Sequence, residues 1–192
     1  GRICVCLVGD GATNNGIAHE AYNFATQDQF KQGCPVIFLI ENNQYGMTGQ
    51  QRGEVTGVTY LAQRGAGYNE VNMHAEVVNG MSVLAVRDAV QRAAKLCREG
   101  QGPVLLECIT YRYMGHSLSD DRTAYRSKGE ENAWQDIAPI ETYQQALIAA
   151  GLATPDLIDI RRQLAQERIE RATLFAAAAH DPDPATIYEG LF

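Results

Sequence analysis

Two short polar groups in the chain are of the types that could hold a metal ion and a phosphate. Gly9-Asp10-Gly11 follows the apolar run from Ile3 to Val8, and Asn42-Asn43 follows the run from Val36 to Ile40, about thirty residues later. An aspartate carboxylate and an asparagine amide oxygen are hard oxygen ligands of the kind that Mg²⁺ takes. Mg²⁺ keeps few protein ligands and completes its octahedron with phosphate oxygens and water. The glycines beside Asp10 let backbone approach phosphate, and a helix N-terminus just beyond favours negative charge. Taken singly, Gly-Asp-Gly is a common turn and Asn-Asn a common loop signal. Their joint occurrence behind two apolar runs points to a magnesium-bound diphosphate.

Such a site needs elements to position it. Each apolar run has strand length, and the segment between them has helical character. A strand, a crossover helix and a second strand form a βαβ unit, which brings both strand ends to one edge of a parallel sheet. In open α/β sheets, ligands sit in the crevice beyond the carboxyl ends of the strands. Thr13 and Asn14 are expected to cap the crossover helix, which runs to about Gln32 and carries Ile17, Ala21, Phe24 and Ala25 on one face. Gly33 and Pro35 end it. Residues 42–69, rich in Gly, Gln, Asn and Tyr, read as a long functional loop with one helical turn near 59–64.

A third strand is expected at 75–78, closed by Asn79-Gly80. A helix follows over Val83–Arg98, with Val83, Val86, Val90, Ala93 and Cys97 along one stripe, and a fourth strand over Val104–Ile109. The alternation across residues 1–110 predicts an α/β fold, a parallel sheet with helices on both faces. Residues 111–135 form an active-site loop region, its 111–130 stretch too polar for a core. Residues 136–192 are a helical C-terminal extension, helical from Pro139 to about Ala179 and divided at 151–155. Its longer helix carries Leu157, Ile160, Leu164 and Ile169 on one face, and the tail from Asp181 is expected to be extended.

The 192 residues, 45% of them hydrophobic, suffice for one compact domain with its own core. The net charge is −7 and the basic residues are scattered, which argues against nucleic acid. No apolar run approaches the roughly 20 residues that span a bilayer, so no membrane segment is expected. The start lacks the basic leader and cleavage site of a signal peptide. Cys4, Cys6, Cys34, Cys97 and Cys108 form no CxxC pair and read as small buried hydrophobes of a reducing compartment. The chain enters a core strand almost at Gly1, so an upstream part of the fold is expected on another segment.

Longer words surround the two polar groups. Gly9-Asp10-Gly11-Ala12, Glu20-Ala21-Tyr22-Asn23, Glu41-Asn42-Asn43-Gln44-Tyr45-Gly46-Met47 and the stretch from Tyr111 to Asp120, read Tyr-Arg-Tyr-Met-Gly-His-Ser-Leu-Ser-Asp, cover the loops of the predicted sheet edge. With its Gly-Asp-Gly and Asn-Asn spacing, the chain resembles the thiamine-diphosphate enzymes. It is most similar to the alpha subunit of the pyruvate dehydrogenase (2-oxo acid dehydrogenase) decarboxylating component, in its carboxyl-terminal portion. The resemblance covers essentially the whole chain.

The resemblance implies a thiamine-diphosphate-binding fold, incomplete at the N-terminus, and the cofactors thiamine diphosphate and Mg²⁺. Asp10 matches the carboxylate ligand of the metal, Asn43 the amide ligand, and Tyr45 the residue whose backbone carbonyl completes the protein ligands. Gly11 and Ala12 match backbone contacts to the diphosphate. His116 matches a loop histidine near the diphosphate and the reacting centre, where it orients groups and moves protons. Ser117 matches a serine phosphorylated in some relatives. Tyr111, Arg112, Tyr125 and Arg126 are expected to anchor the loop, and Glu20 to brace the site or a partner as readily as to serve an ordinary helix surface.

The implied reaction is oxidative decarboxylation of a 2-oxo acid, pyruvate first, with acyl transfer to a lipoyl group. The implied partners are a beta subunit within a heterotetramer, the upstream half of the alpha subunit, a lipoyl-bearing acyltransferase and the small-molecule 2-oxo acid. The implied compartment is the bacterial cytoplasm, or the mitochondrial matrix of a eukaryote. Alpha subunits of acetoin or branched-chain 2-oxo acid dehydrogenases, a split transketolase-like enzyme and a purely structural role remain alternatives. The chain departs from many relatives in a longer stretch between Asn23 and Pro35, in Met114, and in having no proline directly after Asp120.

Overall fold

Strands that end together at one edge frame the protein. The computed structural model describes residues 1–30, 33–69 and 71–190, in two compact units, Gly1–Tyr143 and Gln144–Phe192. In the first unit, β1 (Cys4–Gly9) leads through a 3₁₀ turn (Gly11–Asn14) into α1 (Gly16–Ala25), followed by β2 (Val36–Asn42). Two-residue strands β3 (Tyr45–Gly46) and β4 (Gly49–Gln50) make a small antiparallel hairpin. After a 3₁₀ segment (Leu61–Gly67) come β5 (His74–Asn79), α2 (Val83–Arg98), β6 (Val104–Ile109) and α3 (Lys128–Asp136). Helix α4 (Pro139–Ala149) contains the division between the units.

The four long strands are all parallel, in the order β1-β2-β6-β5. Gly9 lies opposite Glu41, and Asn42 opposite Ile109. The chain therefore leaves β1, β2 and β6 at one edge, carrying Asp10, Asn43 and the 111–125 loop.

Alternation along β2 and β6 builds a core on each face of the sheet. Phe38, Ile40 and Leu105 pack with Tyr22 and Ala25 of α1 and with Leu61 and Met73. Ile37, Val104, Leu106 and Cys108 pack with Ala89, Ala93, Ala94 and Cys97 of α2. Each fully buried aliphatic side chain here contributes about 1.5–3 kcal/mol. The fold is the expected α/β type with helices on both faces. Helix α2 has the expected bounds because its signals are complete: Ser82 accepts the Ala85 N–H at 3.3 Å, and Gly100 after it takes a φ of 73°.

Several expectations are corrected. Helix α1 is capped by Asn15, whose Oδ1 accepts the Ile17 N–H at 3.1 Å, not by Thr13 or Asn14. Thr13 is fully buried and its hydroxyl donates to the Asp10 carbonyl at 2.6 Å, so it is not available as a cap. The helix ends at Ala25; Gln32 lies outside the described residues. Ile17 and Phe24 are exposed, at 70% and 52%. Residues 17/21/24 and 18/22/25 share the same helical spacing, and Tyr22, set edge-on to Phe38 at 4.8 Å, decides which set faces inward.

The strand expected to be buried near the start, β1, is an edge strand with Val5 and Leu7 exposed. Cys4 and Cys6 on it are exposed and Cys34 half-buried, so only Cys97 and Cys108 are the buried hydrophobes expected. The loop expected to 130 ends at Lys128, because Ser127 caps α3 by accepting the Glu130 N–H at 3.1 Å. In the second unit, Thr154 caps α5 (Pro155–Ala177), with Pro155 in its first turn. Leu157, Ile160, Leu164 and Ile169 on α5 are each at least 39% exposed. The tail is not wholly extended: Asp183 caps a 3₁₀ turn, Pro184–Tyr188. Among the described residues, no helix is long and apolar enough to cross a membrane.

Candidate functional site

Asp10 emerges from the end of β1 and is 2% exposed. Its Oδ1 accepts the Gly11 N–H at 2.8 Å, while Oδ2 is buried with no hydrogen-bond partner among the described residues. Burial raises the carboxyl above its ordinary value, against the opposing pull of the Gly11 and Gln44 N–H groups and the Arg112 charge. A buried carboxylate oxygen without a donor is costly unless a cation or a proton neutralises it. Behind it, Arg64 Nη1 donates to the Thr13 carbonyl at 2.8 Å and to its hydroxyl oxygen at 2.9 Å, fixing the turn.

Gly11 meets the β3–β4 hairpin directly. A Cβ on Gly11 would lie 3.0 Å from the Gly46 Cα, so any side chain there needs the hairpin to give by a few tenths of an ångström. Ala12 is exposed on the 3₁₀ turn that follows.

The Asn-Asn pair divides its work. Asn42 is buried; its Oδ1 accepts the Gln44 N–H at 2.9 Å and its Nδ2 donates to Glu107 Oε1 at 2.6 Å. Asn43 is half-buried, and its Oδ1 accepts the Tyr45 N–H at 3.2 Å. Tyr45 reaches the other side of the site, where its hydroxyl donates to Glu130 Oε1 at 2.8 Å. Burial, then that carboxylate, push the Tyr45 phenol up to about 12.

Parallel pairing of β2 with β6 sets the 111–125 loop beside this turn. Arg126 is 5% exposed and its guanidinium lies over the rings of Tyr45, Tyr111 and Tyr125, at 4.5, 4.8 and 5.3 Å from their centroids. Its Nη1 donates to the Arg112 carbonyl at 2.6 Å, and Tyr111 stacks on Trp134 at 5.2 Å. At the loop tip, Asp120 Oδ2 accepts the His116 N–H at 2.6 Å. The Tyr125 hydroxyl, then the His116 N–H and the neighbouring Arg112 and Arg126, hold the Asp120 carboxyl below its ordinary value. His116 and Ser117 are exposed, with Ser117 Oγ 3.1 Å from Ser119 Oγ.

A cavity of about 660 Å³ separates the β3–β4 hairpin from this loop. Tyr45, Arg112, His116 and Tyr125 line it, with Glu54 and Asp120 as acidic groups. Asp10, Gly11, Ala12 and Asn43 do not line it; of these, Gly11 packs against Gly46, which does. Glu20 is exposed on α1. Among the described residues, no cluster of three His, Cys, Asp or Glu side chains could hold a metal.

The sequence gives no role to Glu107 or Arg64, and marks Asn42 only as one member of the Asn-Asn pair. A glutamate inside an apolar strand was the visible signal for the first.

The family model described as "Dehydrogenase E1 component" matches residues 1–185. The chain is 35% identical to the mitochondrial pyruvate dehydrogenase E1 component subunit alpha of Dictyostelium discoideum, over 100% of this chain and 48% of the relative. It is 39% identical to the pyruvate dehydrogenase E1 component subunit alpha of Zymomonas mobilis, over 100% of this chain and 51% of the relative. To the mitochondrial subunit alpha of Sminthopsis macroura it is 40% identical, over 95% and 47% respectively. The chain thus spans about half the length of the curated relatives it matches. On this match, which runs over nearly all of its residues, the chain belongs to the dehydrogenase E1 component family.

Proposed function

We propose that these residues form the diphosphate- and metal-binding part of a thiamine-diphosphate-dependent 2-oxo acid dehydrogenase, the decarboxylating alpha subunit. The observation that carries this is the buried, unpartnered Oδ2 of Asp10, beside the close backbone approach of Gly11 to Gly46. In this reading Asp10 and Asn43 supply side-chain oxygens to Mg²⁺ and Tyr45 a backbone carbonyl, while Gly11 and Ala12 present backbone to the diphosphate. Bound thiamine diphosphate supplies the electron sink through which a 2-oxo acid loses carbon dioxide.

The chain's own residues position and exclude. Arg126 and its three tyrosines fix the base of the 111–125 loop against Tyr45. Asp120 shapes the tip so that His116 stands in the cavity shared with Tyr45, where its imidazole orients the substrate or carries a proton to its carbonyl oxygen. The names of the relatives favour pyruvate as the 2-oxo acid. A beta subunit, the remainder of the alpha fold and a lipoyl-bearing acyltransferase that accepts the acyl group complete the assembly.

Product analysis of the native assembly tests the reading. Carbon dioxide release and lipoyl acylation from pyruvate are expected. Turnover of acetoin, a branched-chain 2-oxo acid or a sugar phosphate in place of pyruvate would assign a different substrate, and turnover of none of them would reject the dehydrogenase reading.

A further inference from the structure

A buried carboxylate stands behind the Asn42–Tyr45 turn with no role in the reading above. Glu107 lies within β6, fully buried, with no ion-pair partner among the described residues. Its oxygens accept from two different elements. Oε1 takes the Asn42 Nδ2 at 2.6 Å, and Oε2 takes the Ala62 backbone N–H at 2.8 Å, in the first turn of the 3₁₀ segment.

Asn42 relays that fixation forward. Its Oδ1 accepts the Gln44 N–H at 2.9 Å, and Gln44 has a φ of 70°, alone among the described non-glycine residues in the left-handed region. A side-chain amide that bonds the backbone two residues on is a standard support for such a conformation. With both Glu107 oxygens accepting, Asn42 fits in one orientation, Nδ2 toward Glu107 and Oδ1 toward Gln44. Flipped, the amide would set oxygen against oxygen and leave the Gln44 N–H facing another donor.

We propose that Glu107 is a positioning residue for the metal site, acting through Asn42 to hold the turn that presents Asn43 and Tyr45. The proposal rests on the Mg²⁺–thiamine diphosphate reading. Outer groups that orient metal ligands are worth about 10–100-fold in metal affinity.

Mn²⁺ is the probe, its affinity measured by electron paramagnetic resonance on the native assembly with thiamine diphosphate present. Glu107→Gln keeps the side chain's shape, but its amide can accept from only one of the two donors. The expected result is Mn²⁺ binding weakened by about 10–100-fold. Combining it with Asn42→Asp reverses the pair: the introduced glutamine donates forward and accepts the Ala62 N–H, and the introduced aspartate accepts the Gln44 N–H. The double variant is expected to recover most of the affinity, which a merely structural role would not produce.

Wild-type Mn²⁺ affinity in Glu107→Gln, or no recovery in the double variant, overturns the proposal. If Glu107→Gln fails to assemble, the double variant decides: assembly with restored Mn²⁺ binding supports the relay, and failure of either overturns it. Asp10→Ala, run in parallel, separates the two layers. Intact Mn²⁺ binding there overturns the underlying reading and this inference with it. Lost binding there with an unaffected Glu107→Gln overturns the inference alone.

Discussion

The Tyr125 hydroxyl donates to Asp120 Oδ2 at 2.7 Å, onto the same oxygen that accepts the His116 backbone N–H at 2.6 Å. One carboxylate oxygen thus ties the loop tip to its base, and the base is tied in turn to Tyr45 through Arg126. The His116 loop and the Asn42–Tyr45 turn are therefore held by one connected set of side chains.

Tyr125→Phe removes one of the two donors. Hydrogen exchange at the His116 amide is expected to quicken several-fold while exchange in β6 and α2 stays as it was. Unchanged protection at His116 would show that the loop tip is held by something else. The pH dependence has a definite sign. Asp120 has a folded value below its ordinary 3.8, so its anchoring is present above that value and is lost as pH falls through the lowered one. Loop order measured by exchange should persist across the mildly acidic range and fail only in stronger acid.

Tyr22 offers a prediction in the opposite direction. Its ring sits edge-on to Phe38 at 4.8 Å and to Tyr68 at 5.8 Å, but its hydroxyl is buried with no partner among the described residues, and burial pushes it up to about 12. Tyr22→Phe keeps the packing and removes an unmet polar group. Thermal stability is expected to hold or to rise by up to about 1 kcal/mol. A loss above that size would mean that the hydroxyl has a partner.

Gly11→Ala tests the backbone cradle. The added Cβ would stand 3.0 Å from the Gly46 Cα, so the β3–β4 hairpin must move. A stability cost of roughly 1–3 kcal/mol is expected from the overpacking. Thiamine diphosphate binding by calorimetry is expected to weaken beyond what unfolding accounts for. Wild-type cofactor affinity in a folded variant would separate the cradle from the diphosphate.

Most of the frame was legible in the sequence because its signals are local. Val83–Arg98 and Val104–Ile109 were read to the residue, since Ser82, Gly100 and Pro103 mark their ends. The order of strands was not legible. That β6 lies between β2 and β5, and so delivers the 111–125 loop to the Asn42–Tyr45 turn, depends on pairings between distant segments. Faces were ambiguous wherever apolar residues surround an element, as on α1, where Tyr22 and not Ile17 turned inward. Of the site, Asp10 and the Asn pair stood out by spacing, whereas the acceptors that aim them did not. Glu107, Asp120 and Glu130 act on residues 65, 4 and 85 positions away, and only the fold brings the distant ones together.

In the proposed function, Asp10 anchors a Mg²⁺-dependent diphosphate site. Because burial raises its folded carboxyl value, ionised Asp10 costs stability as pH rises through that value unless a cation offsets it. Asp10→Asn is therefore expected to raise the metal-free melting temperature at neutral pH by a few degrees, on the order of 2–4 °C per kcal/mol. The decisive measurement is calorimetric titration of the native assembly with thiamine diphosphate, with and without Mg²⁺, for wild type and Asp10→Ala. Mg²⁺-dependent binding is expected in the wild type, weakened roughly 100-fold or more in the variant. Equal Mg²⁺-dependent affinity in the two proteins would contradict it.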